Sequence, residues 1–191
     1  MQISELLLDW QHSRNPYEIH RLLWNFFPGM PDGDRSFLFR VTNARRGEPL
    51  HVLMQSFIAP DTNVRLNRCV LLRTKEFKPS FQESACYQFL LCANPIKRLM
   101  KERCRVPLID ENQLFEWLGH KLQDAAELEF ADISEKRNLY FRKKGEAGKI
   151  TIVTFLGVLK VLNCEKMIGL LENGIGPAKA FGCGLLSLAK A

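Results

Sequence analysis

Residues 15–29 read NPYEIHRLLWNFFPG. Asn15 is suited to cap a helix, Pro16 to occupy its first position, and Glu18 to stand three residues after the cap. Ile19, Leu22, Leu23, Phe26 and Phe27 then recur at helical spacing, and Pro28-Gly29 stops the pattern. Before this helix, residues 3–10 form an apolar run that reads as a strand. After it, residues 37–41 and 51–57 read as two strands joined by the turn residues of 43–49. The order is β-α-β-β. A weaker element at 64–77 completes a β-α-β-β-α-β unit, wholly or in part.

The same order recurs downstream. Residues 86–92 read as a strand ending at Asn94-Pro95. Asp110 caps a helix with Gln113 at its third position and Leu114, Phe115, Leu118 and Leu122 on one face. Residues 139–142 and 149–162 read as two strands separated by the basic glycine turn KKGEAG. Asn163 caps a short helix that stops at Asn173-Gly174, and residues 185–188 supply a last strand. Two such units predict an α+β fold of two tandem ferredoxin-like (RRM-like, βαββαβ) domains, residues 1-82 and 85-191. RNA-recognition modules share this topology, although topology alone licenses no function.

The chain has 191 residues, 46% of them hydrophobic, which is enough for a packed core. Its 27 Lys and Arg against 21 Asp and Glu give a net charge of +6, and the pI of about 9.1 favours an acidic partner such as nucleic acid. The N-terminus lacks a basic stretch and does not read as a signal peptide. The longest apolar run, residues 150–159, is about half the ~20 residues of a membrane span. Six cysteines without a CxxC pair and four scattered histidines give no zinc spacing. The expectation is a cytoplasmic protein with reduced thiols, no membrane partner and no metal or other cofactor. No nucleophile elbow or kinase signature occurs.

Three features carry candidate chemistry. At 100° per residue, Tyr17, His20, Arg21 and Trp24 are expected on the face of the first helix opposite its apolar stripe. Imidazole moves protons near neutral pH, arginine holds phosphate oxygens and phenol donates a hydrogen bond, so this group suits phosphodiester chemistry. In the competing reading Tyr17 and Trp24 simply pack, with His20 hydrogen-bonded beside them. Basic residues cluster at Lys97, Arg98, Lys101, Arg103 and Arg105, and again at Arg142, Lys143, Lys144 and Lys149. Arg65, Arg68, Arg73, Lys75 and Lys78 make a looser group. A single charge run is usually a solvated face; three in a basic chain point to nucleic acid. Lastly, residues 174–188, GIGPAKAFGCGLLSL, bring Gly174, Gly176, Gly182, Gly184 and Lys179 together. This is neither a dinucleotide fingerprint nor a Walker A loop. Either its backbone N–H groups cradle a phosphate or the loop turns and packs.

The last stretch resembles the glycine-rich loop of CRISPR repeat-processing endoribonucleases. With NPYEIHRLLWNFFPG, and with FLFRV, HVLMQS, ANPIKR, RCRVPLI and GVL in order, the chain resembles the CasE family of type I-E systems from its first strand to its last residues. The resemblance implies two ferredoxin-like domains and a metal-independent cut in the CRISPR precursor RNA at the 3′ base of each repeat hairpin. It also implies that the enzyme keeps its product as a subunit of the interference complex. Carried over, His20 is the catalytic histidine and Tyr17 its partner, with Arg21 and Lys149 at the phosphate. Lys97, Arg98, Arg103, Arg105, Lys143 and Lys144 would grip the RNA stem, Lys179 would add charge, and the glycine loop would approach the RNA or the first helix near His20. A non-catalytic RNA-hairpin-binding subunit is the competing reading.

Overall fold

The computed structural model describes residues 1–29, 37–99, 104–143 and 145–191. The chain divides into two compact units. One comprises Met1–Lys78, Tyr140–Lys149 and Lys179–Gly182; the other comprises Pro79–Leu139, Ile150–Ala178 and Cys183–Ala191.

The first unit contains β1 (Gln2–Leu8), a 3-10 turn (Trp10–Arg14), α1 (Pro16–Trp24), β2 (Phe37–Asn43), β3 (Leu50–Ser56) and β4 (Cys69–Glu76). These strands form one sheet in the order β2-β3-β1-β4, with every neighbouring pair antiparallel. Alternation along β1 sends Ser4, Leu6 and Leu8 to the buried face. Leu6 lies opposite Val52 and Leu8 opposite Leu50. Ile19 and Leu23 of α1, with Phe26, Phe27, Phe37, Phe39 and Met54, complete the same core. Ser4 is fully buried, and its hydroxyl hydrogen-bonds that of Thr74 at 2.9 Å, so no polar group is stranded there.

The strand order is ferredoxin-like, but the second helix is missing. Residues 57–68 form bends, turns and one isolated bridge but no helix, and the weak element of 64–77 contains the strand β4. Local bonding explains this. The Asp61 carboxylate accepts from the Asn63 N–H at 2.8 Å, and the Asp61 N–H donates to the Phe26 carbonyl at 2.8 Å. Such a side-chain turn competes with helix formation.

The second unit follows the expected order with additions. Its elements are β5 (Cys86–Ala93), β6 (Ile96–Leu99), β7 (Cys104–Pro107), α2 (Glu111–Leu122), β8 (Ala126–Lys143), β9 (Glu146–Val161), α3 (Cys164–Asn173) and β10 (Leu186–Lys190), except that the ends of β8 and β9 within Tyr140–Lys149 belong to the first unit. The main sheet has the order β10-β5-β9-β8, and β6 and β7 pair separately. Both expected caps form: Asp110 accepts from the Gln113 N–H at 3.0 Å and Asn163 from the Lys166 N–H at 2.9 Å. Leu114, Leu118 and Leu122 of α2, and Met167 and Leu171 of α3, are buried. One expectation is corrected: β8 begins at Ala126 rather than at residue 139. The basic stretch around 97–105, read only as a charge cluster, also supplies a strand pair. Among the described residues no helix is long and apolar enough to cross a membrane.

Candidate active site and nucleic-acid interface

His20 does not stand opposite the apolar stripe of α1. With 3.6 residues per turn it falls about 60° from Leu23, at the edge of the stripe. It is half-buried. Its ring centroid lies 5.5 Å from Phe37 and 6.4 Å from Phe39, both core residues. On the helix itself, Trp24 meets it edge-on at 6.1 Å and Tyr17 lies 6.3 Å away. The imidazole is therefore walled by aromatic rings that limit its rotation.

Tyr17 is the junction with two distant segments. Its ring lies 5.9 Å from Phe181, in the 3-10 turn Lys179–Phe181 of the glycine-rich loop. Phe181 lies 4.4 Å from Phe141, near the tip of the β8–β9 hairpin. The Phe141 ring covers Gly148 of the opposite strand so closely that a Cβ there would overlap it. Two residues along β8, on the same strand face, Lys143 places its Nζ 5.2 Å from the centroid of the Tyr17 ring. All of these groups belong to the first unit. The helix α1, the basic tip and the loop thus converge on Tyr17. Sequence reasoning missed Phe141 and Phe181. Strand alternation would have put Phe141 on the face of Lys143, but nothing in the sequence pairs it with Phe181.

The other candidates are placed differently. Arg21 is exposed and pairs with Glu18 at 3.1 Å, an i,i+3 surface contact of little energetic weight. Lys149 is exposed on β9, and alternation turns it to the face opposite Gly148 and the Phe141 ring. Lys144 and Arg103 lie outside the described residues. In the second unit, Lys97 and Arg98 on β6 and Arg105 on β7 are all exposed. Arg98 stands directly opposite Arg105. Like charges in register across strands repel.

Gly174, Gly176, Gly182 and Gly184 have φ of 69°, 79°, 82° and 94°. Gly182 is buried, and a Cβ on it would lie 3.2 Å from the Phe39 ring. Gly176 lies closer still to Trp117, where a Cβ would be 3.0 Å from the ring. The loop thus uses these two glycines for conformation and close packing. It reaches α1 through Phe181, one of the two approaches left open by the sequence. Lys179 is half-buried in the same turn.

The buried thiols are poor nucleophiles. Burial pushes Cys69 up to about 12. A hydrogen bond with Cys92, together with burial, holds Cys183 well above its ordinary range. Neither supplies a thiolate near neutral pH. Among the described residues no three His, Cys, Asp or Glu side chains group as metal ligands.

The family model described as CRISPR associated protein matches residues 1–190. The chain is 39% identical over 200 residues to the CRISPR system Cascade subunit CasE of Escherichia coli, across 99% of each chain. It is 34% identical over 190 residues to the CRISPR-associated endoribonuclease Cse3 of Thermus thermophilus, across 92% of this chain and 90% of that one. The solved structure of Thermus thermophilus Cse3 bound to an RNA representing a pre-cleavage complex superimposes with a TM-score of 0.87 at 29% identity. That match covers 99% of this chain and 100% of the other.

Proposed function

The chain belongs to the CRISPR-associated protein family, and on that basis we propose that it is the CasE-type endoribonuclease of its system. It cuts the precursor RNA at the 3′ base of each repeat hairpin, and it works in the cytoplasm. It retains the product as a subunit of the Cascade complex, the assembly named for its Escherichia coli relative. The observation that carries this reading is the convergence of His20, Tyr17 and Lys143 at one place, with ring centroids 6.3 Å apart and the ammonium 5.2 Å from the phenol ring.

The reaction assigned to this site is intramolecular transesterification. The 2′-oxygen beside the scissile phosphate attacks phosphorus as its proton leaves. The bond from phosphorus to the 5′-oxygen breaks, and that oxygen takes up a proton. The products are a 2′,3′-cyclic phosphate and a 5′-hydroxyl. His20 carries one of the two proton transfers, held in place by its aromatic walls. Tyr17 orients the phosphate region through its hydroxyl. Lys143 supplies positive charge where the phosphorane oxygens gain negative charge. No metal ion is required by this scheme. Arg98 and Arg105, with Lys97, bind the stem through its phosphates.

His20→Ala tests the assignment. A labelled repeat hairpin should bind nearly as well as to wild type, while cleavage falls by about 10²–10⁴-fold, the usual effect of losing a general acid or base. Cleavage by the wild type should persist in EDTA and stop on RNA with a 2′-deoxy sugar 5′ of the cut. Full activity on the deoxy substrate, or an absolute need for Mg²⁺, removes the mechanism. Binding without cleavage by the wild type would leave only a hairpin-binding subunit.

A further inference from the structure

We propose that Asn15 is a positioning residue for this reaction: its side-chain amide locks the basic β8–β9 tip in register with the catalytic helix. The proposal rests on the function inferred above. Asn15 occupies the N-cap position of α1 with extended backbone, φ −138° and ψ 94°, yet its side chain makes no capping hydrogen bond. The equivalent residues of α2 and α3, Asp110 and Asn163, do cap. The Asn15 amide is used elsewhere. Its Oδ1 accepts from the Arg142 N–H at 3.2 Å, and its Nδ2 donates to the Arg142 carbonyl at 3.1 Å. A longer approach of Nδ2 to Glu18 Oε1, at 3.5 Å, is its remaining contact.

This two-bonded ring has the pattern that a neighbouring strand would present to Arg142. It joins residues 127 positions apart in sequence, both in the first unit. Its location matters more than its number of bonds. Tyr17 follows Asn15 by two residues, and Lys143 follows Arg142 by one. Fixing the Arg142 backbone against the start of α1 therefore fixes where the Lys143 ammonium meets the Tyr17 ring. Phe141, on the other side of Arg142, is in turn seated on Phe181. The tip is otherwise exposed at Arg142, Lys143, Glu146 and Ala147, so a two-point backbone clamp is what sets its register. A helix that forgoes its cap to hold a distant strand places that strand for the chemistry beside it.

The test uses the full-length protein and two substitutions. Serine caps a helix about as well as asparagine, but its hydroxyl is too short to reach both Arg142 groups. Asn15→Ser should leave the thermal midpoint and the hairpin Kd close to wild type. It should also accelerate hydrogen exchange at the Arg142 amide. Single-turnover cleavage at saturating RNA should slow by about 10–100-fold, the scale of effect expected from misplacing a group by an ångström. Asn15→Asp keeps the acceptor for the Arg142 N–H and should recover part of the rate. Unchanged Arg142 exchange in Asn15→Ser overturns the clamp. Faster exchange with a wild-type cleavage rate, or a rate loss that tracks a lowered midpoint, overturns the positioning role. Exchange is measured without RNA. It therefore decides the clamp even if wild-type protein fails to cleave the hairpin, the result that would instead sink the underlying function.

Discussion

The Nζ of Lys143 stands 5.2 Å from the centroid of the Tyr17 ring, bringing a cation of the hairpin tip to the helix that carries His20. The contact is exposed on the lysine side, so it contributes only about 0.5–1 kcal/mol to stability. The consequence proposed for it lies in the reaction. Lys143→Ala should lower the single-turnover cleavage rate by about tenfold or more while shifting the thermal midpoint little. Lys149→Ala, on the opposite strand face, should weaken binding more than rate. A burst assay at saturating RNA separates the two. Equal effects of both substitutions on rate would remove the special place given to Lys143.

Arg98 and Arg105 face each other across β6 and β7. Arg105→Glu replaces a repulsive pair with an attractive one and should stabilise that small hairpin slightly. It should weaken RNA binding by about 1–3 kcal/mol if the contact is charge-assisted. The slope of log K against log salt should also fall by about one. Titrations at several salt concentrations measure this. An unaltered slope would take Arg105 off the RNA.

Two glycines should respond with opposite signs. Gly182 has φ of 82°, and a Cβ there would press on Phe39 at 3.2 Å. Gly182→Ala should destabilise the fold by at least about 1–2 kcal/mol from the left-handed backbone alone. Gly119 lies inside α2, and a Cβ there meets nothing within 4 Å. Gly119→Ala should stabilise by roughly 0.5–1 kcal/mol. Chemical denaturation of the two variants checks both signs.

Cys69 is 4% exposed, and burial raises its thiol from an ordinary 9.0 to about 12. Below pH 9 both folded and unfolded chains hold the proton, and the thiol makes no pH-dependent contribution. Between about 9 and 12 the unfolded chain ionises first, so stability falls as pH rises. Cys69→Ala should be less stable than wild type at pH 8 through lost packing. Above pH 9 that gap should narrow by at most about 1.4 kcal/mol per pH unit. Urea unfolding at pH 8, 9.5 and 10.5 provides the comparison, and a constant gap would contradict the buried-thiol account.

Local signals were strong enough to place much of the framework. The Asp110 and Asn163 caps, the apolar stripe of α1 and the alternation of β2 and β3 are written in neighbouring residues, because the forces that set them act within a turn or across a pleat. β8 was harder. Its stretch ELEFADISEKRN is mostly exposed and lacks clean alternation, so its strand character comes from pairing with β9. β6 and β7 read only as charge, because a short strand rich in Lys and Arg has no apolar alternation to mark it, and they pair with each other. The His20 face differs from the expectation for a simpler reason: at 100° per residue His20 lies only about 60° from Leu23, at the edge of the apolar stripe, where it reaches rings contributed by a different strand, Phe37 and Phe39.

The candidate site divides the same way. His20, Tyr17 and the glycine-rich loop were identifiable from the sequence, partly from the residues and more sharply through a family resemblance, since they are short patterns of specific side chains. Patterns among neighbouring residues were sufficient for the two βαββ frameworks, the helix that presents Tyr17 and His20, and the basic character of the hairpin tip. Three-dimensional packing was needed to show that Lys143 rather than Lys149 meets Tyr17, that Phe181 brings the loop onto α1, and that Asn15 leaves its cap to bind Arg142. Those contacts join residues more than a hundred positions apart, and each depends on strand register and loop path. Register is set cooperatively by the packed core, not by any pair of residues adjacent in sequence.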